Sequence, residues 1–165
     1  MRRRFIYYLL VFSVLIADQL TKYIISRTLE LYKSVVVIPG FFSITHARNR
    51  GAIFGFFSQS GSQLMQVILT GASLIALALV IYYFFKTSPE DKIMKISLSL
   101  ILGGAIGNLI DRVLKGYVVD FADFYIKNLH WPSFNFADAS ITIGAILLVY
   151  IILRGKQKCF LSWSK

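Results

Sequence analysis

From Leu64 to Phe85 the chain runs for 22 residues without a single charged side chain. That stretch decides which solvent the fold is built for. An α-helix rises about 1.5 Å per residue, so such a run crosses a hydrocarbon layer of roughly 30 Å. Three further apolar runs accompany it: Phe5 to Ile25, interrupted by Asp18, Gln19 and Lys22; Ile93 to about Val113; and Phe134 to Leu153. Apolar residues make up 56% of the sequence and charged ones only 16%. A water-soluble domain normally carries about a quarter charged residues, so lipid is the expected solvent.

The basic residues sit where membrane topology would put them. With the N-terminus inside, the inner segments hold ten basic residues against Glu90 and Asp91, a net +8. The other eight basic residues oppose six acidic ones, a net +2, and together these make the chain total of +10. The positive-inside rule then places both termini in the cytoplasm. Met1-Arg2-Arg3-Arg4 before an apolar run is also how a secretory signal begins, but no Ala-x-Ala site follows. The run reads as a retained first span. No arginine-glycine tract, zinc-finger spacing or basic recognition helix occurs, so nucleic acid is not an expected partner.

The expected architecture is an all-α polytopic membrane protein in one domain, residues 1–165. Its four transmembrane helices cover about 5–25, 64–85, 93–113 and 134–153. Extracytoplasmic segments occupy 26–62 and 114–133. Val35-Val36-Val37-Ile38 and Phe41-Phe42-Ser43-Ile44-Thr45, either side of Pro39-Gly40, predict a small sheet on the membrane surface. Gly51 to Phe57 predicts a short interfacial or re-entrant piece, and Gly116 to Trp131 a loop. Ser88-Pro89 is a natural helix start for the third span. Gly103 and Gly107 form a small-xxx-small pair that permits close helix contact, within one chain or between two.

Ionisable groups within or beside a span are costly and mark a partner or a function. Six acids are expected on the outer half: Asp18, Glu30, Asp111, Asp120, Asp123 and Asp138. Asp18 and Lys22 stand i and i+4 on one helix face, as a structural ion pair or as a holder for a ligand. Asn49, ahead of Arg50 and Gly51, reads by itself as a turn residue. Asn108 and Asp111 share a face of the third span, whereas Arg112 points elsewhere. An amide such as that of Asn108 lacks partners in lipid, so a buried polar network is expected there. Asp138 opens the fourth apolar run, where it fits the N-cap of a helix.

Asp120 and Asp138 are expected at the same depth. Two adjacent carboxylates in low dielectric cannot both ionise cheaply, and such a pair shares one proton. It can split a peptide bond, the ionised acid taking a proton from water while its partner polarises the carbonyl. His46 and His130 are the only histidines, without a His-Glu-x-x-His or Gly-x-Ser-x-Gly motif, and surface or interfacial roles are expected for both. Cys159, the lone cysteine, excludes an internal disulfide and a thiolate metal cluster. A different class, a small transporter or lipid-binding membrane protein, rests on the same intramembrane acids and glycines. No inverted repeat accompanies them.

Five stretches in order now carry a resemblance. They are Asp18-Gln19-Leu20-Thr21-Lys22, Asn49-Arg50-Gly51-Ala52-Ile53-Phe54, Gly103 to Arg112, Val118-Val119-Asp120-Phe121 and Phe134-Asn135-Phe136-Ala137-Asp138. The chain resembles the lipoprotein signal peptidase (signal peptidase II) family. The resemblance implies a four-helix membrane aspartic endopeptidase of the bacterial cytoplasmic membrane, with its active site near the outer leaflet. It would cut the signal peptide from a prolipoprotein just before the diacylglyceryl-modified cysteine. It implies Asp120 and Asp138 as the catalytic dyad, and Asp18, Lys22, Asn49, Gly51, Asn108, Asp111, Arg112 and Asn135 as supporting or substrate-binding residues. It further implies a surface sheet and short helix in the 30 to 62 region, no metal or organic cofactor, and a lipidated precursor and membrane lipids as partners. Activity as a monomer is expected.

Overall fold

The computed structural model describes residues 2–50 and 63–162. Gly51 and the short helix expected at 51–57 lie outside the described residues. Four helices form on the apolar runs: α1 Arg2–Thr28, α2 Gln63–Lys86, α3 Lys92–Lys115 and α4 Phe136–Ser162. Stretches Arg4–Thr28, Lys92–Lys115 and Phe136–Arg154 are each long and apolar enough to cross a membrane. In α2, 24 residues long, the apolar stretch among the described residues is Gly71–Lys86.

The other helices are built around α3. Half of its apolar stretch (50%) is buried, against 22% for α1 and 17% for α4. Missing side chains make that central place possible. A Cβ on Gly103 would stand 2.8 Å from the Val11 carbonyl oxygen, and one on Gly107 would collide with the Asp18 carboxylate. The Gly103/Gly107 face is therefore occupied by α1 of the same chain. On the adjoining side, a Cβ on Gly104 would meet the Ala137 backbone of α4. Elsewhere the bundle turns apolar surface outward, with Phe12, Ile16, Ile75 and Ile146 all exposed. Such a surface suits lipid contact.

Four antiparallel strands form one sheet in the order β1 (Ser34–Ile38), β2 (Phe42–Asn49), β3 (Val118–Ile126), β4 (Leu129–His130). The hairpin expected around Pro39-Gly40 is present, with Gly40 at φ +75° in the turn. The expectation of a loop at 116–131 is corrected, because β3 and β4 fill most of it. Asp120 and Asp123 interrupt the apolar character that would have marked Val118–Ile126 as a strand. Both are satisfied in place: Asp123 accepts from Ser43 Oγ on β2 at 3.0 Å, and Asp120 turns toward the helices. Gly116, at φ +73°, donates to the Arg112 carbonyl, ends α3 and turns the chain into β3.

Two smaller expectations also change. His46 is buried, not superficial, and its Nδ1 lies 2.8 Å from the Leu29 carbonyl oxygen. Backbone bonds from Tyr32 to His46 and from His46 to Lys33 complete this tie between β2 and the α1–β1 connection. Helix α3 begins at Lys92 with Asp91 in the cap position, three residues beyond Ser88-Pro89. The Pro89 carbonyl instead accepts from the Tyr7 hydroxyl at 3.0 Å.

Candidate active site

At the end of the bundle next to the sheet, α1, α3, α4 and β3 bring their polar residues to one place. The innermost group is Lys22, fully buried. Its ammonium donates to Asp18 Oδ2 at 2.8 Å and to Asn108 Oδ1 at 2.8 Å, and lies 3.0 Å from Asp111 Oδ2. That last contact is an ion pair without hydrogen-bond geometry, since Asp111 Oδ2 has no hydrogen-bond partner. Asp111 Oδ1 is held instead by Lys115 at 2.7 Å. Asp18 Oδ1 accepts the Ala137 N–H at 3.0 Å, fastening α1 to the first turn of α4. Two acids thus face two lysines, so this inner layer is neutral.

The outer layer holds Asp120 and Asp138. Helix α4 begins at Phe136, so Asn135 is its N-cap and Asp138 its third residue. The expectation that Asp138 is the cap is thereby corrected. Asn135 Oδ1 accepts the Asp138 N–H at 2.9 Å, and Asp138 Oδ2 accepts the Asn135 N–H at 3.2 Å. This is a capping box, with Asn and Asp in the two roles. The Asn135 amide is left free to donate, and it reaches Asp120 Oδ1 at 2.7 Å. One residue therefore links both acids, its side chain donating to Asp120 and its backbone N–H to the Asp138 carboxylate. Asn108 donates to Asp138 Oδ1 at 2.8 Å, and Asn49 donates to Asp120 Oδ2 at 3.0 Å.

Strand pairing sets the position of Asp120. Ala47 of β2 faces Asp120 and Asn49 faces Val118, after a register shift between Ile44 and Ala47. Asp120 is 2% exposed. Burial first and the neighbouring Asp138 second push its carboxyl up, against the amides of Asn49 and Asn135 and the Lys22 charge, to about 7. A mostly apolar groove of about 540 Å³ is lined by Phe41, Phe124, Ile126, Leu129, Trp131 and Phe134. Its wall at Phe134 is one residue from the cap of α4.

Of the residues singled out in sequence, Asp18, Lys22, Asn49, Asn108, Asp111, Asp120, Asn135 and Asp138 come together. Arg112 stands half-buried and makes none of this network's hydrogen bonds among the described residues. Two members were not singled out. Gln19 donates to Asp18 Oδ2 and to the Gly107 carbonyl, each at 3.1 Å. Lys115 was signalled only by its i,i+4 spacing from Asp111.

Apolar helices around a buried two-acid centre define a multi-pass membrane protein with the means for acid–base chemistry at one end. Residues 10–154 match the family model described as signal peptidase (SPase) II. The lipoprotein signal peptidase of Geobacter metallireducens is 44% identical over 144 residues, 87% of this chain and 88% of that protein. That of Francisella tularensis subsp. novicida is 41% identical over 158 residues, covering 96% and 98%. Two solved structures, each of a bacterial membrane enzyme, superpose well. One has a TM-score of 0.80 at 39% identity, covering 92% of this chain and 90% of that one. The other has a TM-score of 0.75 at 43% identity, covering 89% and 92%. The chain belongs to the signal peptidase II family.

Proposed function

We propose that this protein is an aspartic endopeptidase that removes the signal peptide from diacylglyceryl-modified prolipoproteins, cutting before the lipid-bearing cysteine, with Asp120 and Asp138 as its dyad. The observation that carries the reading is the bridge made by Asn135, which caps one acid's helix and donates to the other acid. Family membership supplies the reaction class, and the bridge supplies two acids held as one unit.

Asp120 is the proton holder in this scheme, because its carboxyl is raised to about 7. Asp138 sits in the first turn of α4, where the helix dipole favours an anion, and both its oxygens accept hydrogen bonds. Asp138 takes a proton from water as the water oxygen bonds to the scissile carbonyl carbon. Asp120 gives its proton to the carbonyl oxygen, so the tetrahedral species is a neutral diol. Collapse breaks the C–N bond: Asp138 returns its proton to the leaving nitrogen, and one diol hydroxyl reprotonates Asp120. The dyad ends with the single proton it began with.

Asp18, Lys22, Asn108 and Asp111 hold this pair in place, and the neutral inner layer leaves the shared proton to the dyad. Asn49 and Arg112 are assigned to the substrate backbone, with Gly51 as a supporting or substrate-binding residue; among the described residues, Arg112 makes none of the network's hydrogen bonds. With helix α2 as the fourth crossing both termini share one side, and the excess of basic residues on the inner segments makes that side the cytoplasm and the dyad's side the outer leaflet. The aromatic groove at Phe134 gives an apolar substrate a surface beside the dyad. Use of the Gly103/Gly107 face within the chain favours a monomer.

The test is cleavage of a synthetic precursor peptide with and without diacylglyceryl on its cysteine. The expected result is a single cut before the modified cysteine and none in the unmodified peptide. Equal cleavage of both peptides would overturn the substrate assignment.

A further inference from the structure

The end of the bundle away from the aspartates carries a second polar site that the peptidase reaction does not use. Lys95 lies thirteen residues before Asn108 on α3, about 20 Å along the helix axis. Lysines at a helix end ordinarily keep their ammonium at the surface, and Lys86 and Lys92 of this protein are both exposed. Lys95 instead turns inward and is only 6% exposed. Its ammonium donates to the Phe84 carbonyl and lies 4.2 Å from the centre of the Phe84 ring. A carbonyl and a ring face solvate an ammonium in part but bring no countercharge. A buried charge left in that condition is costly.

A second cation shares the place. Arg4, Tyr7, Tyr8, Thr87, Pro89 and Lys95 line a cavity of about 40 Å³, room for roughly three water-sized groups. Among the described residues, no acidic side chain lines it. Glu90, next along the loop, has an interaction of its own, and Asp91 belongs to a neighbouring groove with Lys92 and Arg154. Two cations therefore converge on a small pocket with no anion in its wall, at the level where the apolar helices end. Exposed Phe5, Leu9, Phe85 and Ile93 surround this end with surface suited to acyl chains.

We propose that this cavity binds the phosphate of an anionic phospholipid headgroup, held by Arg4 and Lys95, in the leaflet opposite the aspartates. A membrane lipid arrives with the countercharge the pocket lacks and with chains for the apolar rim. A zwitterionic headgroup brings its own cation and gains less.

The test is native mass spectrometry of the full chain in neutral detergent, titrated in turn with phosphatidylglycerol, phosphatidylcholine and inorganic phosphate. Phosphatidylglycerol is expected to bind about tenfold more tightly than phosphatidylcholine. Arg4→Gln and Lys95→Gln should each weaken it about fivefold, whereas Lys92→Gln, on the exposed face, should leave it unchanged. Arg4 is exposed, so its variant answers even if Lys95→Gln does not fold. Equal retention of the two lipids would overturn the site. So would a loss in Lys92→Gln matching that in Arg4→Gln, or displacement of the lipid by an equal concentration of inorganic phosphate.

Discussion

Asn135 and Asp138 cap each other: the Asn135 side chain accepts the Asp138 N–H at 2.9 Å, and the Asp138 carboxylate accepts the Asn135 N–H at 3.2 Å. The start of α4 and the geometry of the acid pair are therefore one structure. A change at Asn135 acts on both.

Asn135→Asp separates the two roles. Aspartate caps a helix about as well as asparagine, so the stability lost in detergent at pH 6 reports the missing amide donor and the buried third carboxyl, and should be at least about 1 kcal/mol. The amide donor to Asp120 is lost and a third carboxyl enters, so kcat/KM should fall at least about tenfold. Asn135→Ala loses both the cap and the donor but brings in no charge, and should cost about 1–3 kcal/mol of stability. Paired melting and cleavage measurements check the split.

Peptidase activity should decline as pH rises past about 7, the range to which Asp120 is raised, because the dyad then loses the proton it gives to the carbonyl oxygen. The stability effect has a definite sign. The folded protein holds this proton between the ordinary carboxylate range and about 7, where the unfolded chain has released it. Folding is thus favoured most at low pH, and that advantage is lost as pH rises to about 7. Asp120→Asn should therefore raise the melting temperature more at pH 8 than at pH 5, by no more than about 4 kcal/mol in free energy. Melting curves of both proteins across pH 4 to 9 report it.

Lys22→Met leaves Asp18 and Asp111 buried without their shared cation. Breaking a buried pair from one side costs about 3–5 kcal/mol. Adding Asp18→Asn to Lys22→Met should restore part of that loss. Denaturation of the single and double variants measures the recovery.

Two glycines should respond in opposite ways to alanine. Gly107→Ala drives a methyl group into the Asp18 carboxylate and should disturb the Lys22 contacts, lowering both stability and activity. Gly71, in α2, has nothing within 4 Å of the added atom. There the helix gains about 1 kcal/mol from the better helix former. Comparing the two melting temperatures tests whether close approach, not glycine content, matters.

Legibility in sequence followed the kind of signal each element gives. Apolar runs placed the helices because lipid exposure demands unbroken hydrophobicity, as in α3 and α4. The 3.6-residue repeat paired Asp18 with Lys22 and placed Asn108 with Asp111. Strand β3 stayed hidden because its two aspartates serve tertiary partners, Ser43 and Asn135, that local sequence does not reveal. The cap of α4 shifted by one turn for a similar reason. Asn and Asp both cap helices, and only the reciprocal bonds decide which does. Burial of His46 depended on the α1–β1 connection folding over β2, a contact with no local signature. The bridge from Asn135 to Asp120 joins residues on a helix cap and a strand, so no spacing rule reaches it.

The most direct measurement is cleavage of a lipidated precursor peptide by purified Asp120→Asn and Asp138→Asn, each shown to fold by its melting curve. Both substitutions should reduce turnover by at least about a thousandfold, since each removes an acid–base partner from the reaction. Turnover within about tenfold of the unmodified protein in either variant would contradict the assignment of that acid to the dyad.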